Sequence, residues 1–136
     1  MRWQLLALAA GVAGLGISVY LTVVHYAGVP LACPATGTIN CEAVLSSRYA
    51  VIAGTGVPTS AAGIVWFTIS TLLWTRQAGR IQLAWSALGL VTVVFLVYVE
   101  IVVLGVVCLW CSATHVLVLT IFLIALPRAN GGRVRP

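Results

Sequence analysis

Long apolar segments separated by short polar stretches dominate the pattern of this sequence. Four segments qualify as spans, at about residues 3–27, 57–75, 82–104 and 106–126, and they leave a loop at about 28–56 and a tail at 127–136. A helix needs about 20 apolar residues to cross the hydrocarbon core of a bilayer, within a range of about 17–25. The pattern therefore predicts an all-α integral membrane protein, a single domain over residues 1–136 built as a four-transmembrane-helix bundle.

Composition supports a membrane protein and excludes other classes. Hydrophobic residues make up 62% of the chain and charged residues only 7%, whereas soluble domains carry about 25% charged residues. A soluble globular fold would lack polar groups for its surface, and a disordered chain would be far more polar. The first segment begins with Arg2 like a signal peptide, but it exceeds the usual apolar run of about 7–15 residues. We therefore expect a retained anchor.

The arginines indicate an orientation. The net charge of +5 comes from seven Arg and two Glu, and four crossings place six of the arginines on one side: Arg2, Arg76, Arg80, Arg128, Arg133 and Arg135. Only Arg48 lies on the other side. Because arginine-rich short loops stay in the cytoplasm, both termini are expected inside and the 28–56 loop outside a bacterial inner (cytoplasmic) membrane. This placement explains the basic charge without nucleic-acid binding.

Two cysteines form a C-x-x-C motif near the start of the fourth segment. The spacing of Cys108 and Cys111 places both sulfurs on one face of a helix. A helix N-terminus stabilises a thiolate, which is the reactive form of cysteine. Cys111 lies one turn deeper, where a lipid-soluble oxidant can reach it.

The other two cysteines lie in the outer loop, where water reaches them. Asn40 is a predicted N-cap for a short helix from Cys41 to about Tyr49, with Glu42 in its first turn. With Cys33, this pair suits a relay of electrons between an aqueous thiol and a lipid-soluble acceptor. Two structural disulfides or a four-cysteine zinc site are the alternatives, and the oxidising outer face disfavours zinc, so we predict no metal.

Several polar residues near the predicted outer face are candidates for ligand contacts. Glu100 lies in the third segment; it would either handle protons for a quinone or reach the interface. His115 follows Cys111 by four residues and would hydrogen-bond a quinone oxygen or pair within the bundle. Thr59 and Ser60 open the second segment as caps or as ligand contacts.

The cysteine pattern resembles that of the vitamin K epoxide reductase family. The resemblance rests on Cys33, the stretch Cys41-Glu42-Ala43-Val44-Leu45-Ser46-Ser47-Arg48-Tyr49, Gly63, and Cys108-Leu109-Trp110-Cys111. It implies a bundle around a quinone (menaquinone, ubiquinone or vitamin K type), capped by the outer loop. It also implies that Cys33 and Cys41 exchange with a thioredoxin-fold partner, that Cys108 receives the electrons, and that Cys111 meets the quinone.

The resemblance extends to three candidate quinone contacts. The family has a loop serine that matches Ser47 and that helps the outer loop to cover the quinone site. Thr59 stands where the animal enzymes have an asparagine that binds the quinone carbonyl, and His115 stands where they have a tyrosine. Because no thioredoxin-like domain follows in the sequence, we expect a separate DsbA-like partner.

The predicted function is a membrane oxidase that uses a quinone to re-oxidise its partner and so supports disulfide formation. Three alternatives remain open at this point. The same relay acting on a quinone epoxide would make a reductase. A small four-helix transporter would use Glu100 as its proton-coupled carboxylate. A DsbB-type oxidase fits less well, because it would carry its C-x-x-C in the first outer loop, whereas here the motif opens the fourth segment.

Overall fold

Helices form the long elements of the structure, a computed structural model that describes residues 2–76 and 79–130. They are α1 (Arg2–Ala27), α2 (Cys41–Leu45), a 3-10 turn (Arg48–Ala50), α3 (Thr59–Thr75), α4 (Gly79–Tyr98) continuing as a π-helix (Val99–Leu104), and α5 (Leu109–Asn130). Within these described ranges, extended backbone pairs only as isolated bridges. The predicted all-α class is confirmed.

Three helices are long and apolar enough to cross a membrane: α1, α4 with its π-helical extension, and α5. The fourth long helix, α3, is also apolar but has only 17 residues. Its length of about 26 Å, at about 1.5 Å per residue, lies at the short end of what a bilayer requires. The structure thus supports a membrane protein with three clear spans, and a fourth crossing by α3 stays a prediction.

Small residues bring α1 and α3 into close antiparallel contact. A Cβ atom at Gly14 would overlap the Phe67 ring, and one at Gly63 would lie 2.7 Å from Ser18 Oγ. Nearer one end of the interface, the hydroxyls of Thr22 and Ser60 share a hydrogen bond of 2.8 Å. Glycine and serine allow this approach because they project little beyond the backbone, which is how helices commonly associate in membranes.

The long helices alternate in direction, so the bundle has two chemically distinct ends. The cysteine end carries Cys33, Cys41, Cys108 and Cys111, and the arginine end carries Arg2, Arg76, Arg80 and Arg128. At the arginine end, Gln4 Nε2 donates to the Trp74 carbonyl over 3.4 Å and the Arg128 guanidinium lies 4.8 Å from the Trp74 ring centre. Arg133 and Arg135 lie outside the described residues. Which end faces the cytoplasm stays a prediction.

Helix α5 begins later and ends later than the sequence pattern predicts. It starts at Leu109 rather than near residue 106 because the preceding segment is extended: the Val107 N–H donates to the Thr38 carbonyl over 2.8 Å. At the other end the helix passes through Pro127 and continues to Asn130. The helix therefore extends four residues beyond the predicted segment end near residue 126. Proline lacks a backbone N–H and its ring crowds the carbonyl four residues earlier, but the last turn of α5 persists here.

The helix predicted in the outer loop, from Cys41 to about Tyr49, is shorter in the structure and is interrupted. Asn40 caps it as predicted, with its Oδ1 accepting the Ala43 N–H at 3.0 Å. However, α2 ends at Leu45, because Ser47 takes an extended conformation before the 3-10 turn begins. The cap positions the first residue of α2, Cys41.

The hydrophobic core occupies the half of the bundle nearer the arginine end. Its buried members are Ala7, Ala10, Phe67, Trp74, Val118, Ile121, Ile124 and Ala125. The half nearer the cysteine end is less densely filled and contains a cavity.

Candidate active site

The two loop cysteines form a disulfide whose sulfurs differ in accessibility. Cys33 and Cys41 are joined with an S–S distance of 1.99 Å and a Cα–Cα distance of 6.2 Å. Cys41 is 1% exposed, whereas Cys33 is partly exposed. A thiol arriving from water therefore reaches the Cys33 sulfur first.

Backbone pairing docks the loop onto the start of α5. The Asn40 N–H donates to the Val107 carbonyl over 3.0 Å, beside a parallel bridge between Ile39 and Val107. The Leu109 N–H, the first of α5, points at Cys41 Sγ over 3.3 Å. The Cys41 sulfur consequently lies at the N-terminus of the helix that carries the C-x-x-C motif.

Aromatic contacts hold the Cys33 side of the loop. Trp110 Nε1 donates to the Ala32 carbonyl over 2.9 Å, and the Ala32 N–H donates to the Tyr20 hydroxyl over 3.3 Å. The Tyr20 and Trp110 rings themselves lie 5.1 Å apart between centres. The tryptophan between the two cysteines of the C-x-x-C motif thus ties the loop to both α1 and α5.

The C-x-x-C cysteines are free thiols in this structure. Cys108 is buried and immediately precedes α5, while Cys111 in the first turn is partly exposed. Hydrogen bonding from the Cys111 thiol lowers the pKa of the Cys108 thiol, and the Cys111 N–H adds a hydrogen bond of 3.2 Å to Cys108 Sγ. The molecule therefore combines an oxidised loop pair with a reduced C-x-x-C pair.

Glu100 caps the start of α5, a role that neither sequence alternative anticipated. Its Oε2 accepts the Cys108 N–H at 3.1 Å, and the residue is 5% exposed. Its backbone carbonyl accepts the N–H groups of Gly105 and Val106. This arrangement requires the π-helical turn and the left-handed Gly105, at φ 68°. π-helical turns occur often at functional sites.

A cavity of about 320 Å³ opens beside the C-x-x-C motif, between the loop and all four long helices. Every candidate quinone contact from the sequence lines it: Ser47, Thr59, Glu100, Cys111 and His115. Most of the remaining wall is apolar, including Leu21, Trp66, Phe67, Val93, Leu96 and Val118. The structure brings these five residues together, whereas Cys33, Cys41 and Cys108 lie outside the cavity wall.

The polar groups of the wall differ in whether their hydrogen bonds are already used. Thr59 Oγ1 donates to the Tyr49 carbonyl over 3.0 Å, and Ser47 Oγ donates to the Val44 carbonyl over 2.7 Å. Their hydroxyl protons therefore hold the loop rather than face a ligand. In contrast, the side chains of Ser18 and His115 are 3% and 9% exposed and have no hydrogen-bond partner among the described residues.

Ser18 is a wall residue that sequence reasoning missed. It lies within an apolar segment with no neighbouring motif, and its only signal is a serine among the small residues of α1. Such a position is indistinguishable by sequence from an ordinary helix-packing serine.

The wall fits a quinone. Ligand cavities are commonly about 300–1,000 Å³, mostly apolar, with few polar groups to orient the ligand. This cavity combines an apolar wall with a few polar side chains, among them Ser18, Tyr49 and His115, and the Cys111 thiol. A flat ring with two carbonyl oxygens meets those requirements.

The geometry differs from a zinc site. Two of the four sulfurs are bonded to each other, and no group of three or more His, Cys, Asp or Glu suited to a metal ion occurs within residues 2–76 and 79–130.

Comparison with known proteins supplies the family. No curated protein matches the chain. A family model described as the vitamin K epoxide reductase family matches residues 5–126, which include both cysteine pairs and every wall residue of the cavity. The chain therefore belongs to the vitamin K epoxide reductase family, whose members are membrane-embedded, quinone-linked oxidoreductases.

Proposed function

We propose that the protein is a membrane thiol–quinone oxidoreductase that re-oxidises a separate thioredoxin-fold partner outside the cytoplasmic membrane and so supports disulfide formation. One observation carries the proposal. The buried sulfur of the loop disulfide, Cys41, accepts a hydrogen bond from Leu109 at the start of the C-x-x-C helix, and Cys111 of that motif lines the apolar cavity. This order of the sulfurs suits the transfer of electrons from a thiol in water to an acceptor in the cavity.

The first step is thiol–disulfide exchange at Cys33. A thiolate of the reduced partner attacks the accessible Cys33 sulfur, forms a mixed disulfide and releases Cys41 as a thiolate. The Leu109 N–H, at 3.3 Å from the Cys41 sulfur, stabilises that leaving group. The partner's second thiolate then displaces Cys33. The partner leaves oxidised, and both loop cysteines are reduced.

The second step moves two electrons to the C-x-x-C pair. The Cys41 thiolate attacks Cys108 of an oxidised Cys108–Cys111 pair and releases Cys111. The Cys33 thiolate then attacks Cys41, which re-forms the loop disulfide and leaves Cys108 reduced. The product of this step has one loop disulfide and two free C-x-x-C thiols, which is the state of the present structure.

The third step re-oxidises the C-x-x-C pair at the cavity. A quinone held in the cavity would supply the acceptor for the two electrons and two protons of the thiols and would become the quinol. The Cys111 sulfur is the donor because it alone of the four lines the cavity. The Cys108 thiolate, which the lowered pKa of that thiol favours, bonds to the Cys111 sulfur, and the two electrons released by closing this disulfide would pass from Cys111 to the quinone. The Glu100 carboxylate, bonded to the Cys108 N–H, is placed to take up and pass on a thiol proton.

The test is quinone reduction by the purified protein with a reduced DsbA-like protein as electron donor. We expect quinol formation that is abolished by Cys111→Ala and by Cys33→Ala. The control Ser86→Ala removes a buried hydroxyl that donates to the Leu83 carbonyl over 3.0 Å, away from the cavity, and is expected to keep full turnover. Undiminished turnover in Cys111→Ala would contradict the relay. A parallel assay with a quinone epoxide distinguishes the oxidase from an epoxide reductase.

A further inference from the structure

We propose that the Ser18 hydroxyl is a quinone-binding donor that holds one quinone oxygen while His115 holds the other. The inference rests on the proposed function and adds a residue on α1 to the site. Ser18 lines the cavity, is 3% exposed and has no hydrogen-bond partner among the described residues.

The hydroxyl of Ser18 differs from those of several other helical residues in this bundle. Helical serine and threonine side chains commonly donate to a carbonyl three or four residues earlier, and threonines of α1 and α3 do so. Thr22 donates to the Ser18 carbonyl over 2.8 Å, and Thr71 donates to the Phe67 carbonyl over 2.8 Å. A buried hydroxyl without a partner destabilises the fold unless a ligand satisfies it. The Ser18 hydroxyl is therefore available to a ligand in the cavity.

Ser18 and the Cys111 thiol lie at a similar depth in the bundle, measured from the cysteine end. Tyr20 on α1 and Trp110 on α5 meet with their ring centres 5.1 Å apart, which aligns the two helices. Ser18 is two residues, or about 3 Å, deeper than Tyr20, at about 1.5 Å per residue. Cys111 follows Trp110 directly, and His115 is one further turn along. The side chains of Ser18 and His115 thus approach the same region from different helices.

A 1,4-quinone suits this pair of donors. Its two oxygens point in opposite directions across the ring, so each requires a donor from a different side. Ser18 projects from α1 beside Gly63 of α3, and His115 projects from α5. The ring between them would lie against the apolar wall that includes Trp66 and Phe67.

The test measures binding without turnover. Protein with both cysteine pairs oxidised cannot reduce a quinone, so the dissociation constant of 2,3-dimethyl-1,4-naphthoquinone reports binding alone. Ser18→Ala keeps the small side chain and removes the hydroxyl. We expect it to weaken binding about threefold to tenfold, as loss of one neutral hydrogen bond does. The control Ser86→Ala, which removes an internally bonded hydroxyl, is expected to bind like the unmodified protein.

Infrared spectra of the bound, carbonyl-labelled quinone give a second readout that needs no variant. In the unmodified protein, we expect both carbonyl bands at lower frequency than in an apolar solvent, because both oxygens accept hydrogen bonds. In Ser18→Ala, one band is expected to return towards the solvent value.

The outcomes separate the two proposals. If the unmodified protein shows only one shifted band, or if Ser18→Ala leaves both bands and the dissociation constant unchanged, Ser18 is only a small residue of the α1–α3 contact and the inference is wrong. If the unmodified protein neither binds nor reduces any quinone, the proposed function itself fails.

Discussion

The four cysteines have the same side chain but four different surroundings. Cys33 is partly exposed and Cys41 is buried at the N-terminus of α5. Cys108 is buried and hydrogen-bonded by the Cys111 N–H, and Cys111 faces the cavity. These surroundings support the order of sulfurs in the proposed relay, because attack on a disulfide depends on which sulfur is accessible.

The relay predicts one preferred disulfide between the pairs. In the double variant Cys33→Ser/Cys111→Ser, we expect Cys41 and Cys108 to form a disulfide on mild oxidation, because Leu109 holds the Cys41 sulfur beside the start of α5. Peptide mapping under non-reducing conditions measures its yield. The matched variant Cys41→Ser/Cys111→Ser leaves Cys33 and Cys108 and is expected to yield little. Equal yields would contradict direct transfer from Cys41.

Glu100 has a structural and a chemical role that substitutions can separate. Glu100→Ala leaves the buried Cys108 N–H without an acceptor and is expected to lower the free energy of unfolding by about 1–3 kcal/mol. Glu100→Gln keeps an acceptor oxygen, so we expect a smaller loss of stability but slower quinol formation, since the amide cannot carry a proton. Denaturant titration and turnover assays measure the two effects. Full turnover in a stable Glu100→Gln protein would exclude the proton role.

At the scale of elements, a pair of tryptophans joins α3 to α4, and one of them, Trp66, lines the cavity. Trp66 Nε1 donates to the Trp85 carbonyl over 3.3 Å, and Trp85 Nε1 donates to the Trp66 carbonyl over 3.2 Å. The Trp66 ring lies directly over Gly89, where a Cβ atom would overlap it. Gly89 therefore determines how far the indole stands from α4, and hence how much of the cavity stays open.

This packing predicts that a larger residue at position 89 changes the KM for quinone selectively. Gly89→Val is expected to push the Trp66 indole towards the cavity and to raise the KM for quinone about tenfold or more, because inserting methyl groups into a filled space costs about 1–3 kcal/mol. The KM for the thioredoxin-fold partner is expected to stay unchanged. Gly16→Val is the control, since a Cβ there meets nothing within 4 Å. Parallel steady-state titrations of both substrates measure the effects, and an unchanged quinone KM would show that Trp66 does not bound the site.

At the scale of the whole molecule, stability and chemistry occupy opposite halves of the bundle. Most of the buried core, including Ala7, Trp74 and Ala125, lies towards the arginine end, and the core meets the cavity at Phe67 and Val118. The cavity, the loop disulfide and the π-helical turn lie towards the cysteine end. A well-packed half can thus hold the helices in place while the other half accommodates a ligand.

The arginine distribution predicts the orientation of these halves. The test uses intact cells that produce a cysteine-free variant of the protein. In that variant, Ala53→Cys in the exposed loop at the cysteine end is expected to react with a membrane-impermeant maleimide. Thr75→Cys, exposed at the arginine end, is expected to react only after the membrane is opened. Mass spectrometry of the labelled protein measures both. The reverse pattern would invert the predicted topology.

Sequence alone was sufficient for the all-α class, the long apolar helices and the pairing of Cys33 with Cys41. Apolar segments of membrane length and a C-x-x-C spacing are local properties, and they need no knowledge of neighbouring helices. Sequence reasoning was less accurate where tertiary contacts override local preference. The docked loop delays the start of α5, and the helix continues beyond Pro127.

The tertiary structure decided what each polar residue can do. Only the π-helical turn and Gly105 bring Glu100 to the Cys108 N–H. Only the packing of α1 against α3 and α5 places Ser18 at a cavity beside Cys111. Residues 18, 100 and 111 are far apart in sequence and meet because helices cross at particular positions. Hydrogen-bond partners and accessibility follow from those crossings, and the order of residues along the chain does not contain them.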